Sequence, residues 1–403
     1  MMKFKSDLKT IYPLVKLSNV LAIAPPYNFG EQPEPCTRKC KIYASVVLAA
    51  ILSGYFYNVY GKLHNEIIKN FDMVQNLIDF AATAFLTMAS TSLTVITVLW
   101  RAEKFKSLLF SIEKFDSSIG LKCGKSKRRF WAGYIALQLI TLSTIFIDSF
   151  VWIKTLGLKI YVYYIAKYVM WYQFNVGTFL IFWLALEIEG RFREVNRLLI
   201  RCARGKKSSF LIPTLLYEYS IVNRKDKPFY IRIPDTVLLR SIKFWYNDFV
   251  TLVEEFNSIF GLNLLFVILF NITNVVHYTE ILMLHVIYKK VETDFEVGFI
   301  FLSLMWITVA FVQTMAIAAA CESLANEAGG ITAICYTLLS EVSSFPKTDY
   351  EAALRKELLL LAEQTGAGHP KVSAAGFFEV NFGMMGFVVA SVTSYIIVTI
   401  QFM

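Results

Sequence analysis

Along the 403 residues, polar and charged side chains are gathered into blocks separated by long apolar runs. A helix needs about 20 mostly apolar residues to cross the hydrocarbon core of a bilayer. Seven stretches have that character: 42–60, 77–100, 131–153, 165–186, 259–287, 297–320 and 376–402. The runs are continuous rather than alternating, which argues against transmembrane strands. The pattern predicts an all-α integral membrane protein with seven transmembrane helices. Trp131 and Trp152 lie near the two ends of the third run, where interfacial aromatic residues belong.

The segments between runs differ in length. Those after the second, fourth and sixth runs hold about 30, 72 and 55 residues, and the other three about 16, 11 and 9. Much of the long segments has helical periodicity. Glu187 to Lys206 continues the fourth run, and Ile242 to Ser258 leads into the fifth. Glu322–Ser340 and Asp349–Gln364 read as two amphipathic helices. The stretch from Lys206 to Pro234, with Arg224-Lys225-Asp226-Lys227-Pro228, is expected to be a mobile loop.

Charge then sets the orientation. Of the 40 Lys and Arg residues, 33 precede the first run or follow the second, fourth and sixth, and 6 lie in the other segments. The positive-inside rule makes the 33-residue side cytoplasmic, so the N-terminus is predicted inside and the C-terminus outside. All six cysteines fall at or near that side, where thiols stay reduced. Leu14 to Ala24 is interrupted by Lys16 and Asn19 and does not read as a cleaved leader. With 56% apolar and 18% charged residues and a mean hydropathy of +0.51, a soluble enzyme is excluded. The net charge of +9 is a topology signal that calls for no nucleic-acid partner.

All ten prolines lie in the cytoplasmic segments, whereas seven-span G-protein-coupled receptors carry proline kinks in their later helices and an outside N-terminus. No internal repeat or Gly/Pro-broken span suggests a transporter. The C-terminal run instead ends Ser394-Tyr395-Ile396-Ile397-Val398-Thr399-Ile400-Gln401-Phe402. It resembles the signature of insect gustatory receptors, relatives of insect odorant receptors: Thr-Tyr, five mostly hydrophobic residues, Gln-Phe. Ala375-Gly376-Phe377-Phe378-Glu379-Val380-Asn381 is similar to the family's entry to its seventh span. Asn257-Ser258-Ile259-Phe260-Gly261 resembles its entry to the fifth, and Cys321, Glu327 and Thr332 match its linker between spans six and seven. Ser394 in place of Thr and the polar Thr399 are departures.

The resemblance implies a plasma-membrane channel of sensory neurons, gated by a non-volatile tastant and permeable to sodium, potassium and calcium. It implies assembly as a homotetramer, or with related receptors, in contact with membrane lipid. No enzymatic activity, cofactor or metal follows from it. The corresponding division is a cytoplasmic N-terminus (1–41), a six-helix ligand-sensing region (42–320), cytoplasmic anchor helices (321–375) and a pore-lining helix (376–403). The family's sugar receptors tend to have Glu after the Tyr, where this chain has Ile396. A bitter plant compound is therefore the first expectation, and a sugar or polyol such as fructose the second. A metabotropic receptor is the rival from another class.

Two sets of residues could carry function. Ser391, Ser394, Val398 and Gln401 are spaced i, i+3, i+7, i+10 and share one helix face. Alone, that stripe reads as helix packing. The resemblance implies a pore lining, with Gln401 and Phe402 at the outer exit and Phe402 as a hydrophobic constriction. No acidic side chain lies near that exit, and a ring of Met403 carboxylates from four subunits is the expected source of cation preference. The second set starts from ionisable residues within spans, which suggest function by default. Asp79, Asp148, Lys167 and Glu280 fall in the predicted outer halves of spans two to five. Trp152, Trp171, Tyr172, Gln173, Asn274, His277, Tyr278 and Trp306 lie at similar depth. Together they suit a pocket for a compact organic ligand.

Overall fold

The computed structural model describes residues 7–64, 73–119, 126–203, 235–287, 294–342, 344, 346 and 348–402. The expected loop at 206–234 and Met403 lie outside the described residues. The described chain is almost entirely helical, because a helix satisfies its own backbone groups where water is absent. Its helices are α1 (Tyr12–Val20), α2 (Arg38–His64), α3 (Met73–Leu93), α4 (Ala102–Ile119), α5 (Ser126–Leu156), α6 (Ile165–Ala203), α7 (Asp235–Ile287), α8 (Asp294–Glu341), α9 (Asp349–Gly366) and α10 (Phe382–Phe402). A small antiparallel hairpin, β1 (Ser373–Ala374) with β2 (Phe378–Glu379), precedes α10. A π-helical segment, Thr94–Trp100, prolongs α3.

Six of these helices, α2, α3, α5, α6, α7 and α8, are long and apolar enough to span a membrane. The seventh, α10, has 21 residues and is about 31 Å long. They coincide with the seven apolar runs. Helices α6, α7 and α8 contain 39, 53 and 48 residues, so each continues well past the bilayer. The helical stretches expected at 187–206 (described as far as Ala203), 242–258 and 322–340 are thus extensions of spans. All three extensions leave from the end of the bundle that carries the long basic segments, called here the basic end.

The core lies between α3, α6, α7 and α8. Trp171, Phe174, Phe192, Phe249, Phe256, Phe260 and Phe270 are all buried there. By contrast, only 17% of the apolar windows of α2 and α5 is buried, against 67% and 78% for α3 and α6. Their Val46, Phe56, Leu139, Phe146 and Phe150 are exposed on the surface of the single chain and are not core. Helix α10 packs on α7 and α8 through Met384, Met385, Val388 and Val392.

At the basic end, polar joints replace apolar packing. Arg191 on α6 makes two parallel hydrogen bonds to Asp116 on α4, at 3.1 and 2.8 Å, and also pairs with Glu187. All three side chains are buried. Arg193 pairs with Glu189 and, at 2.9 Å, with Glu327 on α8. Asn257 on α7 clasps the chain before α10: its amide donates to the Lys371 carbonyl and its oxygen accepts from the Ser373 N–H. The hairpin turns through Ala375 (φ 52°) and Gly376 (φ 79°), left-handed conformations suited to glycine at the second position. Residues 376–381, apolar enough to read as the start of the seventh span, therefore form the hairpin and its exit. Helix α10 begins at Phe382, whose N–H donates to Glu322 of α8, while Asn381 accepts from the Met384 N–H as an N-cap.

Candidate functional site

At the end of the bundle opposite the basic end, four helices bring charge together. Helix α2 continues past its apolar run because helical geometry does not stop at the last hydrophobic residue. Its Gly61 has no side chain to keep it away from Tyr163: a Cβ there would overlap the tyrosine ring. Asn58, on the same face, donates to the Tyr163 carbonyl at 3.0 Å. This close approach carries Lys62 inside, where it is 3% exposed and pairs with Oδ2 of Asp79 on α3. The other oxygen, Oδ1, lies 3.8 Å from Nζ of Lys167 on α6 and 3.9 Å from Nε2 of His277 on α7. Asp79 and Lys167 are each about one-fifth exposed, so the cluster is not sealed.

A second carboxylate anchors an aromatic group beside it. Asp148 on α5 is buried and accepts from the Tyr168 hydroxyl and, at 2.9 Å, from the Trp306 indole N–H. Tyr278 stacks on Trp306 with centroids 5.4 Å apart and planes within 4°, and Trp171 meets Trp306 edge-on at 4.7 Å. Trp152 stacks on Tyr164 at 5.7 Å. The buried side-chain nitrogens Trp171 Nε1, Asn274 Nδ2 and His277 Nδ1 have no hydrogen-bond partner among the described residues. An unsatisfied buried polar group costs about 1–3 kcal/mol. A ligand with hydrogen-bond acceptors could satisfy these groups.

The structure thus brings Asp79, Lys167 and His277 together, and Asp148, Trp306, Tyr278 and Trp171. Trp152, Asn274 and Glu280 are buried or partly buried on the same elements. Two expected residues point elsewhere. Gln173 donates to the Leu21 carbonyl and to Thr94, and Tyr172 donates to Gln138 on α5. Successive helical residues turn by about 100°, so Trp171 and Gln173 face nearly opposite sides of α6. Lys62, Tyr164 and Tyr168 were not expected. Lys62 lies beyond its apolar run, and the signal that could have found it was the Asn58, Gly61, Lys62 face at helical spacing.

On α10, Ser394, Val398 and Gln401 are exposed and Ser391 is partly exposed, on the side away from Met384, Met385 and Val392. Phe402 is the last residue of the helix.

A family model described as 7tm chemosensory receptor matches residues 11–403. No curated protein matches significantly. Among solved structures, the insect olfactory receptor OR5 from Machilis hrabei matches with a TM-score of 0.65 and 11% identity, over 99% of this chain and 100% of that one. The same receptor in complex with eugenol matches with a TM-score of 0.65 and 10% identity, over the same shares. At such identities the likeness is one of fold. The family match, by contrast, runs over nearly the whole sequence, and the chain belongs to the 7tm chemosensory receptor family.

Proposed function

We propose that the chain is a gustatory receptor: a subunit of a homotetrameric, non-selective cation channel opened by a small non-volatile compound. The observation that carries this reading is the two-sided α10. One face is buried against α7 and α8, and the other presents Ser394, Val398 and Gln401, weakly polar and uncovered in a single chain. Four such faces around an axis make a pore of hydroxyl and amide groups closed by apolar side chains. The terminal Ser394-to-Phe402 sequence supports taste over smell. Under this reading the basic end is cytoplasmic, the far-end cluster opens outward, and residues 321–375 hold the subunits together.

The ligand acts by its differential affinity for the open state. The paired charges and aromatic planes of the far-end cluster suit a compact, uncharged, acceptor-bearing organic molecule. That the similar olfactory receptor has been solved with eugenol supports a small organic ligand. A bitter plant compound is the first choice and a sugar or polyol the second.

The test is a ligand panel applied to cells expressing this chain alone, followed by recording from excised patches without nucleotide. Agonist-evoked cation current, blocked by thiol reagents in Ser394→Cys and Gln401→Cys but not in the wild type, is expected. A strict nucleotide requirement would overturn the channel in favour of a metabotropic receptor.

A further inference from the structure

The Lys62 ammonium is placed as a bound amine would be. It pairs with a carboxylate oxygen, Oδ2 of Asp79, that no other described cation contacts. It lies 5.5 Å from the ring centroid of Phe80 and 5.5 Å from that of Tyr164. Both distances are within the range in which a cation is attracted to an aromatic face. A carboxylate flanked by two rings is the recognition chemistry of an organic ammonium ion. Here the occupant is part of the protein, inserted from α2 by the close contact of Gly61 with Tyr163.

A purely structural ion pair needs only the carboxylate. It does not need two rings, nor a partner that reaches in from one of the two least buried spans of the bundle. Surface lysines are mobile and strongly hydrated, whereas this one has given up its water for one oxygen and two π faces. We propose that the far-end cluster contains a site for a primary ammonium group, formed by Asp79, Phe80 and Tyr164 and filled by the receptor's own Lys62. Lys62 is thereby a specificity-determining residue that excludes cationic ligands. The exclusion of ligands rests on the far-end cluster being the tastant site; the ammonium site itself does not.

The site can be emptied by one substitution. Lys62→Ala removes Cγ, Cδ, Cε and Nζ, the heavy atoms of n-propylammonium. The full-length receptor in detergent is titrated with n-propylammonium chloride, and its melting temperature is followed against a matched sodium chloride series. A saturable rise is expected for Lys62→Ala, half-complete at roughly millimolar concentration, as befits a four-atom ligand. The wild type, whose site is filled, shows none. Lys62→Ala/Asp79→Asn loses the rise, and n-propanol, uncharged and of the same length, does not produce it. In cells, Lys62→Ala gains a current, or a shift in agonist response, when small primary amines are added.

An equal rise in the wild type, or no rise in a Lys62→Ala protein with wild-type oligomeric profile, overturns the site. If Lys62→Ala folds poorly, its folded yield becomes the readout. Expression and extraction in n-propylammonium restores monodisperse protein, and failure to do so also overturns the site. Failure of the channel reading looks different: no ligand evokes current from any variant, while the amine-dependent rise persists. An ammonium site confirmed by melting, but without a change in ligand response in conducting receptors, removes the specificity role.

Discussion

Replacing Asp148 with leucine removes at once the carboxylate that accepts from two donors, the Trp306 indole N–H and the Tyr168 hydroxyl. The Trp306 indole N–H, 2.9 Å from Oδ1, has no alternative orientation, because ring stacking on Tyr278 and edge contact with Trp171 fix its plane. The Tyr168 hydroxyl loses Oδ2. Each stranded donor costs about 1–3 kcal/mol, so Asp148→Leu should destabilise the receptor by about 2–6 kcal/mol. Asp148→Asn is different. Its oxygen can still accept from Trp306, and its amide can donate to Tyr168, whose hydroxyl also accepts. Two charge-assisted bonds become neutral ones, but a buried charge is also removed, and the net change should be about 1 kcal/mol or less. Thermal unfolding of the three proteins in one detergent, with ligand dose–response curves alongside, separates the cases. Asparagine should keep near-normal stability and leucine should not. Equal stability of leucine and wild type would show that Asp148 does not organise the aromatic group.

Further outcomes follow from other contacts. Gly61→Ala places a methyl group against the Tyr163 ring, and a loss of about 1–3 kcal/mol is expected in the same unfolding assay. Arg191→Met removes the buried guanidinium shared by Asp116 and Glu187 and should cost about 3–5 kcal/mol, with Arg191→Met/Asp116→Asn recovering part of it; equal losses would refute the coupling. Glu322→Ala removes the acceptor at the start of α10 and should cost about 0.5–2 kcal/mol and shift the agonist concentration for half-maximal current. Glu322→Gln, which keeps an acceptor, should shift that concentration less.

The membrane helices were legible in the sequence because lipid sets a demand independent of packing: α2 and α5 are apolar although little of them is buried in protein. What the runs could not mark was where helices end. Lys62 counts as polar and closes a hydropathy run, yet α2 continues to His64 and carries it inside. Conversely, the apolar Phe377 and Phe378 look like membrane helix, but positive φ at Ala375 and Gly376 turns the chain there. The π-helical Thr94–Trp100 left no trace in the pattern, because a change from i+4 to i+5 bonding alters no hydropathy. At the candidate site, depth could be read from position in a run, and so Asp79, Asp148, Lys167 and His277 were grouped together. The direction each side chain faces depends on helix rotation, which is why Gln173 was placed in the group although it bonds to Leu21 and Thr94.

The 53 unbroken residues of α7 make a shaft about 80 Å long. Tyr278 and His277 ride near one end. Asn257, which grips the strand feeding α10, sits about 31 Å along the same shaft. Twisting such a shaft by about 10° moves a side-chain tip by only about 1 Å, but tilting it by about 5° shifts a point 31 Å away by nearly 3 Å. Mechanical gain therefore favours rocking over rotation. A molecule wedged beside Tyr278 would be felt at the root of α10 as a sideways pull, through a rigid rod and without a relay of side chains.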